Sequence, residues 1–243
     1  MKYIRLVLFE LKGMKLFRFQ LLTSLLVIPL LLFVVQLNSA GANPSTLQTT
    51  IVSFIVATIV SGLLGLLALR ICNSFLPDVL ELYSTMAITK IEMILSLTLT
   101  YILLVSPQII IGTLIMVSTK SINNTWAFIA TILLSLVWFS ILAIGMGLWI
   151  KNYYLIMGIM PLFTLVLLMV SPIYLAPLLN SPVIKILTML NPISYFVNLF
   201  QASLNNELLF PVSYSVVFIT MTLLALVFFV SRKINDLYAL ENY

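Results

Sequence analysis

Histidine is missing from all 243 residues, and cysteine occurs once, at Cys72. The first absence removes Ser-His and Cys-His nucleophilic catalysis, histidine metal sites and histidine proton relays. The second excludes an internal disulfide and any cysteine-rich metal site. Charge is also scarce. Asp, Glu, Lys and Arg make up 8% of the chain, against about a quarter in a soluble globular protein. The acids number seven, and none falls in the middle of an apolar run, where a proton- or sodium-driven carrier ordinarily keeps one. No G-x-x-x-x-G-K-(S/T) run is present, so the chain carries no P-loop for ATP.

What fills the space is apolar: 62% of the residues are hydrophobic. That leaves too few polar side chains to cover a water-facing surface and points to an all-α integral membrane protein. A bilayer core takes about 20 apolar residues as a helix. Six stretches meet that length, at about 20–36, 49–69, 93–117, 126–150, 154–174 and 213–231. Pro29, Pro107 and Pro161 fall within them, which membrane helices tolerate. The opening residues, MKYIRLVLFELKGMKLFRF, are basic over a long stretch, and no small-residue cleavage site follows the first apolar run. That run is expected to remain as a span.

Lys and Arg set the orientation. With the N-terminus in the cytoplasm, the inner side holds ten of them: Lys2, Arg5, Lys12, Lys15, Arg18, Arg70, Lys90, Lys151, Arg232 and Lys233. The outer side holds two, Lys120 and Lys185. Both termini are therefore expected in the cytoplasm of a multi-pass protein of the cell membrane, of bacterial type. The net charge of +5 reads as a topology signal rather than as a nucleic-acid footprint.

Residues 1–19 admit two readings. On a helical wheel Lys2, Arg5, Lys12, Lys15 and Arg18 share about half the circumference, and Tyr3, Leu6, Val7, Met14 and Phe17 share most of the rest. Ile4, Leu8, Leu11 and Phe19 break the pattern, and Glu10 sits amid the apolar side. The segment is either a helix lying in the cytoplasmic interface or a basic anchor only.

Between the second and third stretches lies LPDVLELYSTMAITKIEMIL, residues 76–95. Val79, Leu82, Tyr83 and Met86 stand at i, i+3, i+4 and i+7, on one face of a helix over about 77–87. Asp78, Glu81, Ser84 and Thr85 take the opposite face. Pro77 suits the first turn, where Asp78 and Glu81 favour the positive end of the helix dipole. Thr89-Lys90-Ile91-Glu92 then forms a T-x-x-E capping box that starts the next helix. Such a segment is either a loop helix resting on the membrane or a docking element for a soluble partner.

The same stretch resembles the coupling region of ABC-2 type membrane subunits, the permeases of type V ABC exporters. Leu80, Glu81 and Leu82 match the L-E-L of the family's E-x-G-T-L-E-x-L-x-x-T-P-(I/V)-x-(R/K)-x-E-(I/L) pattern. Thr85 matches its Thr, Lys90 its basic residue and Glu92 its acid. Ala87 stands where the family often has Pro, and Leu76-Pro77-Asp78 replaces the upstream Glu-x-Gly. A second stretch, ILTMLNPISYFVNLFQASL at 186–204, resembles the family's N-P-(L/I)-(S/T)-Y segment before the last span. Asn191 is a good N-cap and Pro192 a good first helical residue. Two short helices are expected, at about 183–190 and 192–206.

The resemblance implies a single transmembrane domain over 1–243: six spans, an interfacial N-terminal helix, a cytoplasmic coupling region at 77–90 and an extracellular re-entrant pair at 183–206. It implies ATPase coupling by Asp78, Leu80, Glu81, Leu82, Tyr83, Thr85, Lys90 and Glu92. It also implies an outer gate at Asn191, Pro192, Tyr195, Phe196 and Phe200. The chain would hold no cofactor of its own. ATP and Mg would sit on a separate ABC ATPase, present in two copies beside a second permease copy or a sister permease. The spans offer Tyr, Phe, Met, Ser and Thr without buried charge, which suits an apolar or amphipathic cargo such as a drug, antibiotic, peptide or lipid-like molecule. Export of a glycan or teichoic-acid-type polymer, and a secondary carrier or channel with no ATPase, are the other readings open. A cysteine placed at position 79 in a Cys72-free background is expected to react with an impermeant reagent only from the cytoplasmic side. Labelling from outside alone would overturn the topology.

Overall fold

The structure is a computed structural model, and it describes residues 2–13, 23–27, 29–31, 33–34, 44–77, 79, 81, 83, 89–150, 152–175 and 181–239. Among these every regular element is helical. The elements are α1 (Lys2–Gly13), a π-helical stretch at Thr23–Val27, and α2 (Pro44–Ile59). The last runs through a π segment, Val60–Leu67, into α3 (Ala68–Ser74). Then come α4 (Lys90–Ser118), α5 (Thr125–Trp149), α6 (Tyr153–Met169), the single turn α7 (Pro172–Leu175), α8 (Pro182–Leu190), α9 (Pro192–Leu204) and α10 (Val212–Ala239).

Four stretches are long and apolar enough to cross a membrane: Leu47–Ser74, Lys90–Ser118, Thr125–Trp149 and Val212–Ile234. They mark the chain as a membrane protein and contain the expected spans at 49–69, 93–117 and 213–231, and all but the last residue of the one at 126–150. The fifth expected span is shorter than its sequence. Helix α6 has 17 residues and stops at Val170, before Ser171 and Pro172. A proline disfavours helical geometry in the residue before it, so the chain breaks at Ser171 and restarts as α7. Of the first expected span, at 20–36, residues 20–22, 28, 32, 35 and 36 lie outside the described residues, as do residues 1 and 14–19 of the N-terminal segment.

Leu47–Ser74 is the axis of the bundle. In its most apolar window 94% is buried, against 11% for Val212–Ile234. A helix apolar on all sides belongs in the interior, and here α4, α5 and α6 all pack on it. Small residues let them approach, as is usual where membrane helices cross. A Cβ at Gly62 would overlap Cγ2 of Val105 on α4, and one at Gly112 of α4 would lie 2.8 Å from Ile55. A Cβ at Gly147 of α5 would stand 2.6 Å from the carbonyl oxygen of Ala68 and 2.8 Å from Ile71. Gly62 and Gly65 belong to the π segment, whose other six residues are all buried.

Asparagine marks the ends. Asn124 caps α5 by accepting from Ala127 N (3.1 Å), and Asn152 caps α6 by accepting from Tyr154 N and Leu155 N. Asn205 closes α9 in the left-handed conformation, φ 62°. Asn191 separates α8 from α9, which meet at a bend of 91°.

Gly147→Ala drives a methyl into a backbone carbonyl that has no side-chain freedom to yield. It is expected to cost about 1–3 kcal/mol, read as a lower melting temperature in detergent. Gly158→Ala, where a Cβ meets nothing within 4 Å, should leave the melting temperature unchanged or slightly higher.

Candidate functional site

The most unusual residue in the fold is Glu10, a carboxylate with 1% exposure. Its position on the apolar side of α1 follows from the helical wheel: Leu6 and Val7, one turn earlier, are buried as well. Helix α1 packs on α4, and Glu10 meets Arg70 of α3. Arg70 donates from Nη2 (2.8 Å) and Nε (3.2 Å) to Oε2 of Glu10. The hydroxyl of Tyr83 donates to the other carboxylate oxygen, Oε1. Both oxygens are satisfied, and the Arg70 side chain keeps 20% of its surface. Burial, and then the negative charge of Glu10, push the Tyr83 phenol above its ordinary pKa. It therefore stays a donor across the working pH range.

This knot ties three parts of the chain. Glu10 comes from the N-terminal helix, Arg70 from the end of the central helix, and Tyr83 from the connector at 77–90. Tyr83 has 4% exposure, so it faces the protein itself and not a surface. Among the other residues expected at the coupling region, Glu81 is exposed and Val79 half-buried. Asp78, Leu80, Leu82 and Thr85 lie outside the described residues. Thr89 and Glu92 form the expected capping box. Thr89 Oγ1 accepts from Glu92 N (3.2 Å), and the Glu92 carboxylate accepts from Thr89 N (2.9 Å). Lys90 opens α4 and is half-buried.

The second group of expected residues gathers elsewhere. Asn191 caps α9 by accepting from Ile193 N (3.0 Å) and donates to the carbonyl of Leu167 (2.6 Å). Tyr195 donates to the carbonyl of Met189 (2.8 Å) and stacks on Phe218 with centroids 3.8 Å apart. Phe196 packs against Trp138 and Phe139, and Phe200 against Phe128. Pro192 is the first residue of the helix. These contacts pin α9 to α5, α6 and α10. Asn198, fully buried, completes the clasp: its Oδ1 accepts from Leu209 N and Phe210 N, and its Nδ2 donates to Phe210 O and Ser215 Oγ. Asn206 reaches Gln48 at the start of the central helix, 3.3 Å away. Gln48 and Arg70 are 22 residues apart, so at a rise of 1.5 Å per residue the clasp and the knot lie roughly 33 Å from one another, at opposite ends of the bundle.

The pairing of Glu10 with Arg70 escapes the sequence, because Arg70 reads as a span-end anchor and its partner is sixty positions away. The available signal was an acid on the apolar side of a basic helix. No protein-family model, curated protein or solved structure matches the chain.

Arg70→Ala strands the Glu10 carboxylate without its cation and is expected to cost about 3–5 kcal/mol. Tyr83→Phe removes one hydrogen bond to a charged group and should cost about 1.5–3 kcal/mol. Denaturant unfolding in micelles checks the order; equal or negligible losses would contradict the buried knot.

Proposed function

We propose that the chain is the membrane-spanning permease subunit of an ATP-driven exporter. In this reading a separate ATPase, in two copies, powers the outward movement of an apolar or amphipathic molecule. The observation that carries it is the Glu10–Arg70–Tyr83 knot. A force applied to the connector reaches Tyr83, and through the Glu10 carboxylate it reaches both α1 and the most buried helix of the bundle. Exposed Glu81, two residues from buried Tyr83, gives the connector one face for its own protein and one for a partner. The capping box at Thr89 starts α4 directly after the connector, so a shift of the connector also bears on α4.

The Lys and Arg distribution puts the knot on the cytoplasmic side, where a soluble ATPase can reach it. The lack of a P-loop assigns ATP to that partner. The clasp around α9 then lies on the outer side, and the 91° bend between α8 and α9 suits a pair of helices that enters the membrane and returns. The first and fifth apolar runs bring the four spanning helices to a six-span arrangement in this reading, with that pair as a re-entrant element.

The experiment is ATP-dependent transport together with pull-down of the ATPase, at matched membrane levels. Glu81→Lys should lower the retained ATPase by roughly two- to fivefold, as for a single exposed charge. Leu82→Asp with Tyr83→Asp should abolish transport, since the new carboxylate at position 83 would face Glu10. Wild-type transport by that double variant, or ATP hydrolysis by the purified chain alone, would end the permease reading. Transport that survives ATP depletion and stops with a protonophore would move the chain to the carriers.

A further inference from the structure

An apolar groove of about 320 Å³ opens between α5 and α10. That is the lower end of the range of small-molecule sites, about 300–1,000 Å³. Leu142, Gly145, Met146 and Trp149 line it from α5 at i, i+3, i+4 and i+7, and Leu226 and Phe229 line it from α10. Gly145 supplies the width. With no side chain there, Val230 and Phe229 come within 3.3–3.9 Å of where a Cβ would stand. The groove faces the membrane phase, because α10 is the least buried of the four spanning helices.

Its two ends differ. Toward the C-terminus of both helices it finishes at Trp149, an indole with 63% exposure. Tryptophan in that position marks the boundary between hydrocarbon and headgroups. One turn beyond Phe229, on the same strip of α10 as Leu226 and Phe229, come Lys233 and its neighbour Arg232. Arg232 is exposed and Lys233 half-buried. Neither has an ion-pair or hydrogen-bond partner among the described residues. An apolar trough therefore ends in an aromatic girdle and two cations with no partner among the described residues.

We infer that this groove is a binding site for an anionic phospholipid, with an acyl chain along Leu142, Met146 and Leu226 and the phosphate against Arg232 and Lys233. A zwitterionic lipid fills the trough equally well, but its own ammonium offsets the attraction of the two cations. The site therefore selects by headgroup charge and anchors by chain. Bound there, the lipid fills the gap between α5 and α10 that Gly145 leaves. The inference needs the membrane placement of the four helices and does not need the ATPase, so it stands or falls separately from the transport reading.

Native mass spectrometry of the detergent-purified chain tests it, with phosphatidylglycerol and phosphatidylcholine of identical chains added in equal amounts. The wild type should retain phosphatidylglycerol over phosphatidylcholine by about ten- to thirtyfold, as two interfacial cations imply. Arg232→Gln with Lys233→Gln, two substitutions outside the core, should bring the ratio close to one and leave the melting temperature of the lipid-free protein unchanged. Leu226→Trp, which fills the trough, should reduce retention of both lipids. Equal retention by the wild type overturns the inference, and so does a preference that survives the double substitution. Undiminished phosphatidylglycerol in Leu226→Trp places the lipid elsewhere and likewise overturns it. A wild type that runs as a lipid-free dimer, separated by Leu226→Trp, would give the groove to a second copy instead.

Discussion

A carboxylate withdrawn from water must keep a cation beside it, and Glu10 meets that demand across sixty residues of chain by pairing with Arg70. Much of this end of the bundle follows from that contact. It ties α1 to α3, and Glu10 lies on the side of α1 that also buries Leu6 and Val7. It also holds the connector, since Tyr83 satisfies the remaining carboxylate oxygen. None of the three side chains can leave without stranding another. The connector is thus fastened to both α1 and α3.

The axis that carries Arg70 is the most enclosed of the four long apolar helices. Leu47–Ser74 is enclosed on nearly every side, and its glycine contacts with α4 and α5 leave little slack. The eight-residue π segment in its middle is the exception to that regularity. Such segments frequently sit at functional positions, where a helix changes its turn. At the far end the clasp of Asn191, Asn198 and Asn206 fixes α9 and the start of α10, and Asn206 reaches back to the same axis at Gln48. One helix therefore connects the knot to the clasp.

Local signals in the sequence were largely legible. Apolar length located the four spanning helices to within a few residues, and Thr89-x-x-Glu92 and Asn191-Pro192 announced the helix starts seen at Lys90 and Pro192. These features depend on neighbours within one turn. The contacts that give the site its character depend on tertiary placement. Arg70 looked like one more positive-inside anchor and Tyr83 like an apolar-face residue, and nothing local singled out Asn198. Only packing brings Arg70 and Tyr83 to Glu10, or turns Asn198 into the holder of the 205–211 loop. The shortened α6 escaped for another reason: hydropathy averages over Ser171-Pro172, whereas the backbone breaks there.

The central claim is that Glu10 and Arg70 form one buried unit, and a double-mutant cycle addresses it most directly. Glu10→Ala, Arg70→Ala and the double variant are unfolded by denaturant in matched micelles. Removing both charges leaves neither stranded, so the double variant should lose clearly less stability than the two single losses combined, with a coupling of about 1–3 kcal/mol. Losses that add within about 0.5 kcal/mol would mean that the two side chains act independently. That result would contradict the account.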